Sequence, residues 1–581
     1  MSGRPVRLAT RKRRMRSARL LMPSLSGEFL RTGLARCAAP NCARWMQDRC
    51  KVKITFRETA FRQLNFKFKI HFVNTVSYWR KTSSLPRFPA LDRNLTVDAV
   101  VIGAGITGVT AAYLLKQRGL SVALLEREHC CSGDTGQTTA HLTCQPDAGL
   151  SQIARDFDRE TAGAVWRAGA AAIFQISELV RTLHIDCGFQ WVPGILHAAT
   201  PEDETWLKEE AALASALDIV CDYRSVVPFF DHPGVVFPNQ AKFHPLLYLT
   251  ALLERIPGEG CHVFEQSAVE EIDDDPIRVR TARGRIRCKH LIVATHNPLM
   301  GITGKVKALL FQTKLALYTS YVVGAKLPRG FLSDALFWDT AEPYHYLRIE
   351  NRNEHDYAIF GGCDHKTGQV LDTPGIYREL EAELHRFAPQ AEVDARWSGQ
   401  VIETNDGLPF IGTIADHQFV ATGFAGNGMT FGTLSAMMAV DSVSGRKNRW
   451  AELFDPNRTK IRGGTWSYIE ENKDYPVHLF CGWLAGTDRR TPEELNSDEG
   501  AILRINGQRA AVYKDKDGQL CACSAVCTHL QCIVGWNAAE KTWDCPCHGS
   551  RFHPTGEVMS GPAEQPLEKI DVANAKVEQF R

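Results

Sequence analysis

Val97-Asp98-Ala99-Val100-Val101-Ile102-Gly103-Ala104-Gly105-Ile106-Thr107-Gly108 is the stretch on which the reading of this chain turns. Its first six residues are apolar apart from Asp98, as a short buried strand requires. The glycines then fall in a G-x-G-x-x-G pattern, a helical stretch runs to about Arg118, and Ser121 to Leu125 forms a second apolar run ending at Glu126. Strand, glycine turn, helix and strand in that order make a Rossmann unit. Gly103 permits the tight turn, Gly105 lets backbone approach a pyrophosphate, and Gly108 allows close packing of helix on strand. The helix start then faces the phosphates. Glu126 lies 18 residues after Gly108, about where a carboxylate meets the adenosine ribose hydroxyls. No second such glycine pattern occurs, so one dinucleotide is expected.

Outward from this motif, the 581 residues exceed a single domain. Hydrophobic residues at 44% and charged residues at 23% exclude a wholly disordered or fibrous chain. No uncharged apolar run approaches the roughly eighteen residues of a membrane-spanning helix, so a soluble, cytoplasmic protein is expected. The net charge of +2 conceals an asymmetry: residues 1–70 carry 18 Lys and Arg against Glu28, Asp48 and Glu58, leaving 50 basic and 63 acidic residues in the rest. An acidic body argues against nucleic acid as a partner. Residues 1–75 read as a basic, disordered extension, with an organelle-targeting peptide or a basic tail as alternatives. Residues 76–455 form a first folded domain, 456–479 a linker, and 480–581 a second domain.

The segments Gly133 to Thr143, Phe237 to Pro245, Ala294-Thr295-His296, Gly361-Gly362-Cys363-Asp364-His365, Asp406 to Gly412 and Gly423 to Gly432 resemble the flavin-dependent oxidoreductases of the D-amino-acid oxidase and glycine oxidase type over residues 76–455. The resemblance implies an α/β Rossmann-like FAD-binding domain with an α+β substrate domain. It implies that Gly103, Gly105, Gly108 and Glu126 hold the adenosine end of FAD. Thr138 and Thr139 would then lie near its phosphates and ring, and Val269 would touch the adenine through its backbone. Gly428, Met429 and Thr430 would present backbone donors to the flavin pyrimidine, where a helix start stabilises negative charge.

Six of the 18 cysteines fall between Cys521 and Cys547. Cys527-Thr528-His529 and Cys545-Pro546-Cys547-His548 give C-x-H, fifteen residues, then C-x-x-H. Two thiolates for one iron and two imidazoles for the other match a Rieske [2Fe-2S] centre. A Cys2His2 zinc site is the competing reading, but its usual spacing pairs cysteine with cysteine and histidine with histidine. With their flanks, these loops resemble the Rieske proteins of cytochrome bc complexes over about residues 480–581, which implies an all-β domain. That resemblance also implies a disulfide between Cys532 and Cys547, and a proline loop at Gly561-Pro562-Ala563 covering the cluster. Gln531 and Phe552 depart from it, the latter replacing a tyrosine whose hydroxyl reaches a ligating sulfur.

Together these readings predict an FAD-dependent oxidoreductase that takes electrons from an amine or amino-acid C–N bond and passes them singly through the cluster to an unidentified acceptor. The alternative is a redox carrier or sensor with no organic substrate, which a substrate cavity beside the flavin would disfavour. The candidate substrate contacts are Tyr346, to orient a donor, and Arg348, to clamp a carboxylate.

Overall fold

The computed structural model describes residues 75–297, 314–458, 482–483 and 486–571. The basic arm and most of the expected linker lie outside the described residues. The described chain begins by pinning itself to the segment Gly133 to Thr143. Ser77 accepts a hydrogen bond from the Arg80 amide at the start of helix Tyr78–Thr82 and donates one to the Gly136 carbonyl (2.6 Å). The Trp79 indole, wholly buried, donates to the Thr138 carbonyl (2.5 Å).

The Rossmann unit forms as its sequence demands. Strand Ala99–Ile102 is buried on both faces and lies between parallel strands Val122–Leu125 and His290–Val293. Strands His262–Phe264, Gln418–Thr422 and Phe410–Ala415 complete a six-stranded sheet. Helix Ile106–Gln117 crosses helix Gly428–Val443, and both bury most of their apolar residues. Each large side chain so buried contributes about 1.5–3 kcal/mol. A Cβ on Gly108 would stand 1.9 Å from the Gly103 carbonyl oxygen, so the tight turn and the helix can coexist only with glycine there.

A second, nine-stranded sheet forms the floor of the substrate domain, its long strands Leu315–Leu327, Asp356–Lys366 and Glu392–Thr404 lying side by side. Helix Thr373–Phe387 covers one face, burying Ile376, Leu380 and Leu384. The chain stays attached to this half through Arg458, whose guanidinium forms a fork on Asp406 (2.7 Å to each oxygen) over the Phe410 ring.

The cluster half is all β. Strands Glu499–Ile505, Gln508–Lys514 and Leu520–Ser524 make one sheet. Strands Gly535–Asn537, Thr542–Asp544, Arg551–Phe552 and Val558–Ser560 make the other. Within the second, Arg551 and Asp544 form a buried ion pair (3.1 Å), closed by Thr542 and Asn537. Among the described residues no helix is long and apolar enough to cross a membrane.

Candidate active site and cluster centre

A cavity of about 980 Å³ runs from the glycine turn along the nine-stranded sheet. Its first end is made by Gly103, Gly105, Glu126, Thr138, Thr139 and Val269. The Glu126 carboxylate accepts from the backbone amides of Ala104 (2.9 Å) and Glu128 (3.0 Å). Burial raises this carboxyl against the pull of those donors, and a ribose diol at its free edge would satisfy it further. Gly108 stands behind the turn as a packing residue. Gly428 and Met429 line the cavity at a helix start whose Asn427 makes no side-chain cap, leaving backbone donors for an electron-rich ring.

The other end is acidic and aromatic. Tyr344, Tyr346, Asp147, Asp364 and Trp338 line it. The Tyr344 hydroxyl donates to Asp147 (2.9 Å), whose other oxygen accepts from the Gly426 amide (3.2 Å). Ser320 donates to Asp364 (2.5 Å) and meets the Tyr346 hydroxyl (2.5 Å). Burial pushes the Asp364 carboxyl up to about 7, outweighing the Ser320 hydrogen bond, with the Asp147 charge adding to the rise. Burial and the neighbouring carboxylates also push both tyrosines well above their usual value, so they stay neutral. His141, edge-on to Tyr346, is driven down to about 3 by burial and the nearby Arg348, and is neutral too.

One expectation needs correction. Arg348 does not reach the cavity. It is wholly buried beneath the sheet, where its guanidinium donates to the carbonyls of Thr139, Ala140 (2.5 Å) and Phe243, pairs with Glu350 and packs over Trp79. Tyr346 and Arg348, two positions apart on strand Tyr346–Asn351, share a face, but the long guanidinium is drawn to a cage of carbonyls. Thr430, whose part in the expectation is its backbone amide, is not among the residues that line the cavity, and its hydroxyl bonds to the Thr143 carbonyl (3.1 Å). Asp147, Asp364 and Ser320, by contrast, were not singled out in the sequence. Asp364 lay inside a recognised segment, but nothing local marks it as facing Asp147.

In the cluster half, Cys527 and Cys545 are buried and close enough to share a proton. The Cys545 thiol and the Ser550 hydroxyl both stabilise the Cys527 thiolate, which falls to about 7, while Cys545 is raised. The rings of His529 and His548 meet edge to face at 4.9 Å. Burial lowers His529 to about 4 and His548 to about 3, which leaves each imidazole neutral as metal ligation needs. Cys532 and Cys547 form the expected disulfide, joining the two loops with Cα atoms 6.5 Å apart. Their sulfurs and that of Cys545 lie within 4.8 Å of one another. Two of these three are consumed by the disulfide, so this trio is a brace beside the ligand set and no alternative zinc site. The donor set of two thiols and two neutral imidazoles fits a [2Fe-2S] cluster. The proline loop is tied to both cluster loops, Ala563 N–H to Ser550 (3.0 Å) and Thr528 to the Gln565 carbonyl (2.6 Å).

The same loop closes the first cavity. Ser560 to Gln565 line it, together with Glu540 and Arg551, so one wall of the flavin cavity is supplied by the cluster half.

Comparison with known proteins agrees with this construction. The family described as FAD dependent oxidoreductase matches residues 98–442, and the Rieske [2Fe-2S] domain matches residues 489–574. A Bacillus subtilis protein named for a Rieske 2Fe-2S iron-sulfur centre, YhfW, is 34% identical over 507 residues, covering 85% of this chain and 97% of its own. Gamma-glutamylputrescine oxidoreductase of Escherichia coli is 25% identical over 407 residues, 66% of this chain and 91% of its own. Among solved structures, glycine oxidase from Geobacillus kaustophilus superposes with a TM-score of 0.54 at 19% identity, covering 63% of this chain and 99% of that one. The chain belongs to the FAD dependent oxidoreductase family, binds FAD, and carries a Rieske domain that binds a [2Fe-2S] cluster.

Proposed function

We propose that the protein oxidises the C–N bond of an amine and delivers the electrons singly through its cluster to an external acceptor. The observation that carries this reading is one continuous cavity, with an acidic and aromatic end at Asp147 and Asp364 and a wall contributed by the cluster's proline loop. When bound, FAD supplies two-electron oxidation of the donor and the cluster supplies one-electron transfer.

The protein's own part is binding, orientation and proton handling. Gly103, Gly105, Glu126 and Val269 would hold the adenosine end, Thr138 and Thr139 the middle, and the Gly428 and Met429 amides the ring. Cys527, Cys545, His529 and His548 would hold the iron. At the donor end Asp147, Asp364 and the faces of Tyr344, Tyr346 and Trp338 suit an ammonium group. Asp364, poised near 7, can accept the proton that an ammonium must lose before its carbon is oxidised. Among the described residues no lysine lines the cavity, and its arginines, Arg127 and Arg551, belong to the adenosine end and the cluster sheet. The protonated His345 that bears on this end is paired with Asp339 (3.0 Å) and does not line the cavity, so among the described residues a carboxylate has no clamp there, which favours an amine over an amino acid. The gamma-glutamylputrescine relative is named for a substrate that bears an amine. A carrier without an organic substrate has no use for this end of the cavity.

Anaerobic mixing of the purified protein with a panel of primary and secondary amines, amino acids and nicotinamide nucleotides tests the reading. Bleaching of the flavin by an amine is expected, with amino acids slower and NADH or NADPH inert. Rapid bleaching by NADH, or by amino acids alone, would overturn it.

A further inference from the structure

Gln400 sits on strand Glu392–Thr404, is 4% exposed, and has every polar atom of its side chain engaged across the seam between the two halves. Its amide nitrogen donates to the Gly549 carbonyl (2.8 Å) and to the Thr367 hydroxyl (3.2 Å), and its amide oxygen accepts from the Ser560 hydroxyl (2.5 Å). Gly549 follows the cluster ligand His548, and Ser560 opens the proline loop, so one side chain grips the second ligand loop and the loop that covers the cluster. The carbonyl of Gly549 can only accept, which fixes the amide's orientation. The backbone of Gln400 is held from the flavin side. Its N–H donates to Asp134 (2.7 Å), and its carbonyl accepts from His296 (3.2 Å), both of which line the cavity.

Neighbouring contacts tighten the same seam. Gln369 donates to the Pro546 carbonyl (3.1 Å), between ligand Cys545 and bridged Cys547. A Cβ on Gly549 would meet Leu317 at 2.7 Å and is further opposed by a φ of +71°. The loop therefore rests directly on the flavin half with no room for another side chain.

We propose that Gln400 is a positioning residue for electron transfer, bracketing the cluster loops against the wall of the flavin cavity and so setting the separation that electrons cross. The inference rests on the reading that electrons pass from flavin to cluster. A buried amide is costly to leave unpaired, and its bonds to Gly549 and Ser560 run from a strand of one domain to two loops of the other and resist their separation, while the bond to Thr367 holds the amide from its own side.

The test uses the full-length protein loaded with both cofactors. In Gln400→Leu, and more mildly in Ser560→Ala, the ratio of the rate of cluster reduction to the rate of flavin reduction should fall, read by rapid-mixing absorbance and freeze-quenched paramagnetic resonance with dithionite-matched cluster content. Amide hydrogen exchange in segments 545–551 and 558–564 should quicken, roughly tenfold for the leucine variant, from the loss of its bonds. Gln400→Glu, which sets a buried carboxylate oxygen against the Gly549 carbonyl, should loosen the seam at least as much as the leucine variant. Unchanged exchange and an unchanged rate ratio in both Ser560→Ala and a folded Gln400 variant would overturn the bracket. Absence of cluster reduction in the unaltered protein would instead overturn the electron route beneath it, while the exchange measurement still reports whether the bracket holds the loops.

Discussion

The two ends of the flavin cavity are built in different ways. At the adenosine end, the glycine turn, the helix start and Glu126 come from one continuous run between Ala99 and Glu126, and local sequence forces their arrangement. At the donor end, Asp147, Ser320, Tyr344, Tyr346 and Asp364 come from separate segments that only the nine-stranded sheet brings together. The first end is specified by backbone sterics and tolerates no change of shape. The second is specified by side chains on a fixed scaffold, so it can change substrate without changing fold.

The sharpest way to break this contrast is Gly108→Ala. Its Cβ would fall 1.9 Å from a backbone oxygen that cannot yield, so retained FAD should drop at least roughly tenfold, or the flavin half should fail to fold. Flavin released per chain by denaturation measures it, with iron and sulfide assayed in parallel. Cys545→Ser is the counterpart in the cluster half: iron and acid-labile sulfide should be lost while FAD stays bound, because the disulfide and both sheets remain. A zinc-to-protein ratio near one without sulfide in the unaltered protein would instead contradict the cluster.

At the donor end the effects should be smaller and should depend on pH. As pH rises through about 7, Asp364 ionises and binding of the ammonium form of a donor should tighten, so its KM should fall. The groups bearing on this carboxyl are Asp147, Glu342, Ser320 and His345, the last held protonated, to about 10 despite burial, by Asp339. Asp364→Asn should flatten that dependence while leaving flavin content intact. For stability the sign is reversed. The folded-state pKa is raised, so the favourable contribution is complete below about 4 and is lost as pH rises through about 7. Asp364→Asn should therefore gain relative stability above neutrality, as thermal unfolding at pH 6 and pH 8.5 would show.

The smallest expected effects are on the cluster potential. The Ser550 hydroxyl stabilises the Cys527 thiolate, and hydrogen bonds to sulfur favour the more negative, reduced cluster. Ser550→Ala should lower the potential by tens of millivolts, at about 59 mV per 1.4 kcal/mol for one electron. Phe552, wholly buried in the core that holds both ligating cysteines, should raise it by a similar amount when replaced by tyrosine, provided the new hydroxyl meets sulfur. Voltammetry of the intact protein reads both shifts.

The same contrast explains what could be read before the structure. The C-x-H and C-x-x-H loops, the glycine turn and the acid at Glu126 are each local, and each has few physical solutions. Asp364 carries no local signal, because its meaning depends on Ser320, 44 positions earlier, and on Asp147, which the Gly426 amide and the Tyr344 hydroxyl hold from distant segments. Arg348 was misjudged for the converse reason. In sequence it neighbours Tyr346, but three buried carbonyls and Glu350, which only the assembled fold presents, claim its two terminal nitrogens. Gln400 carries no motif at all, and its role exists only where two domains meet.

The central claim, that electrons taken from an amine cross from flavin to cluster inside one chain, is tested most directly by anaerobic single-turnover mixing with an amine donor, followed at once by flavin absorbance and by the paramagnetic signal of the reduced cluster. The account predicts that the flavin bleaches first and that the cluster signal then rises at a rate independent of protein concentration. A flavin that bleaches fully beside a cluster that stays oxidised, or a cluster reduced only in proportion to protein concentration, would contradict it.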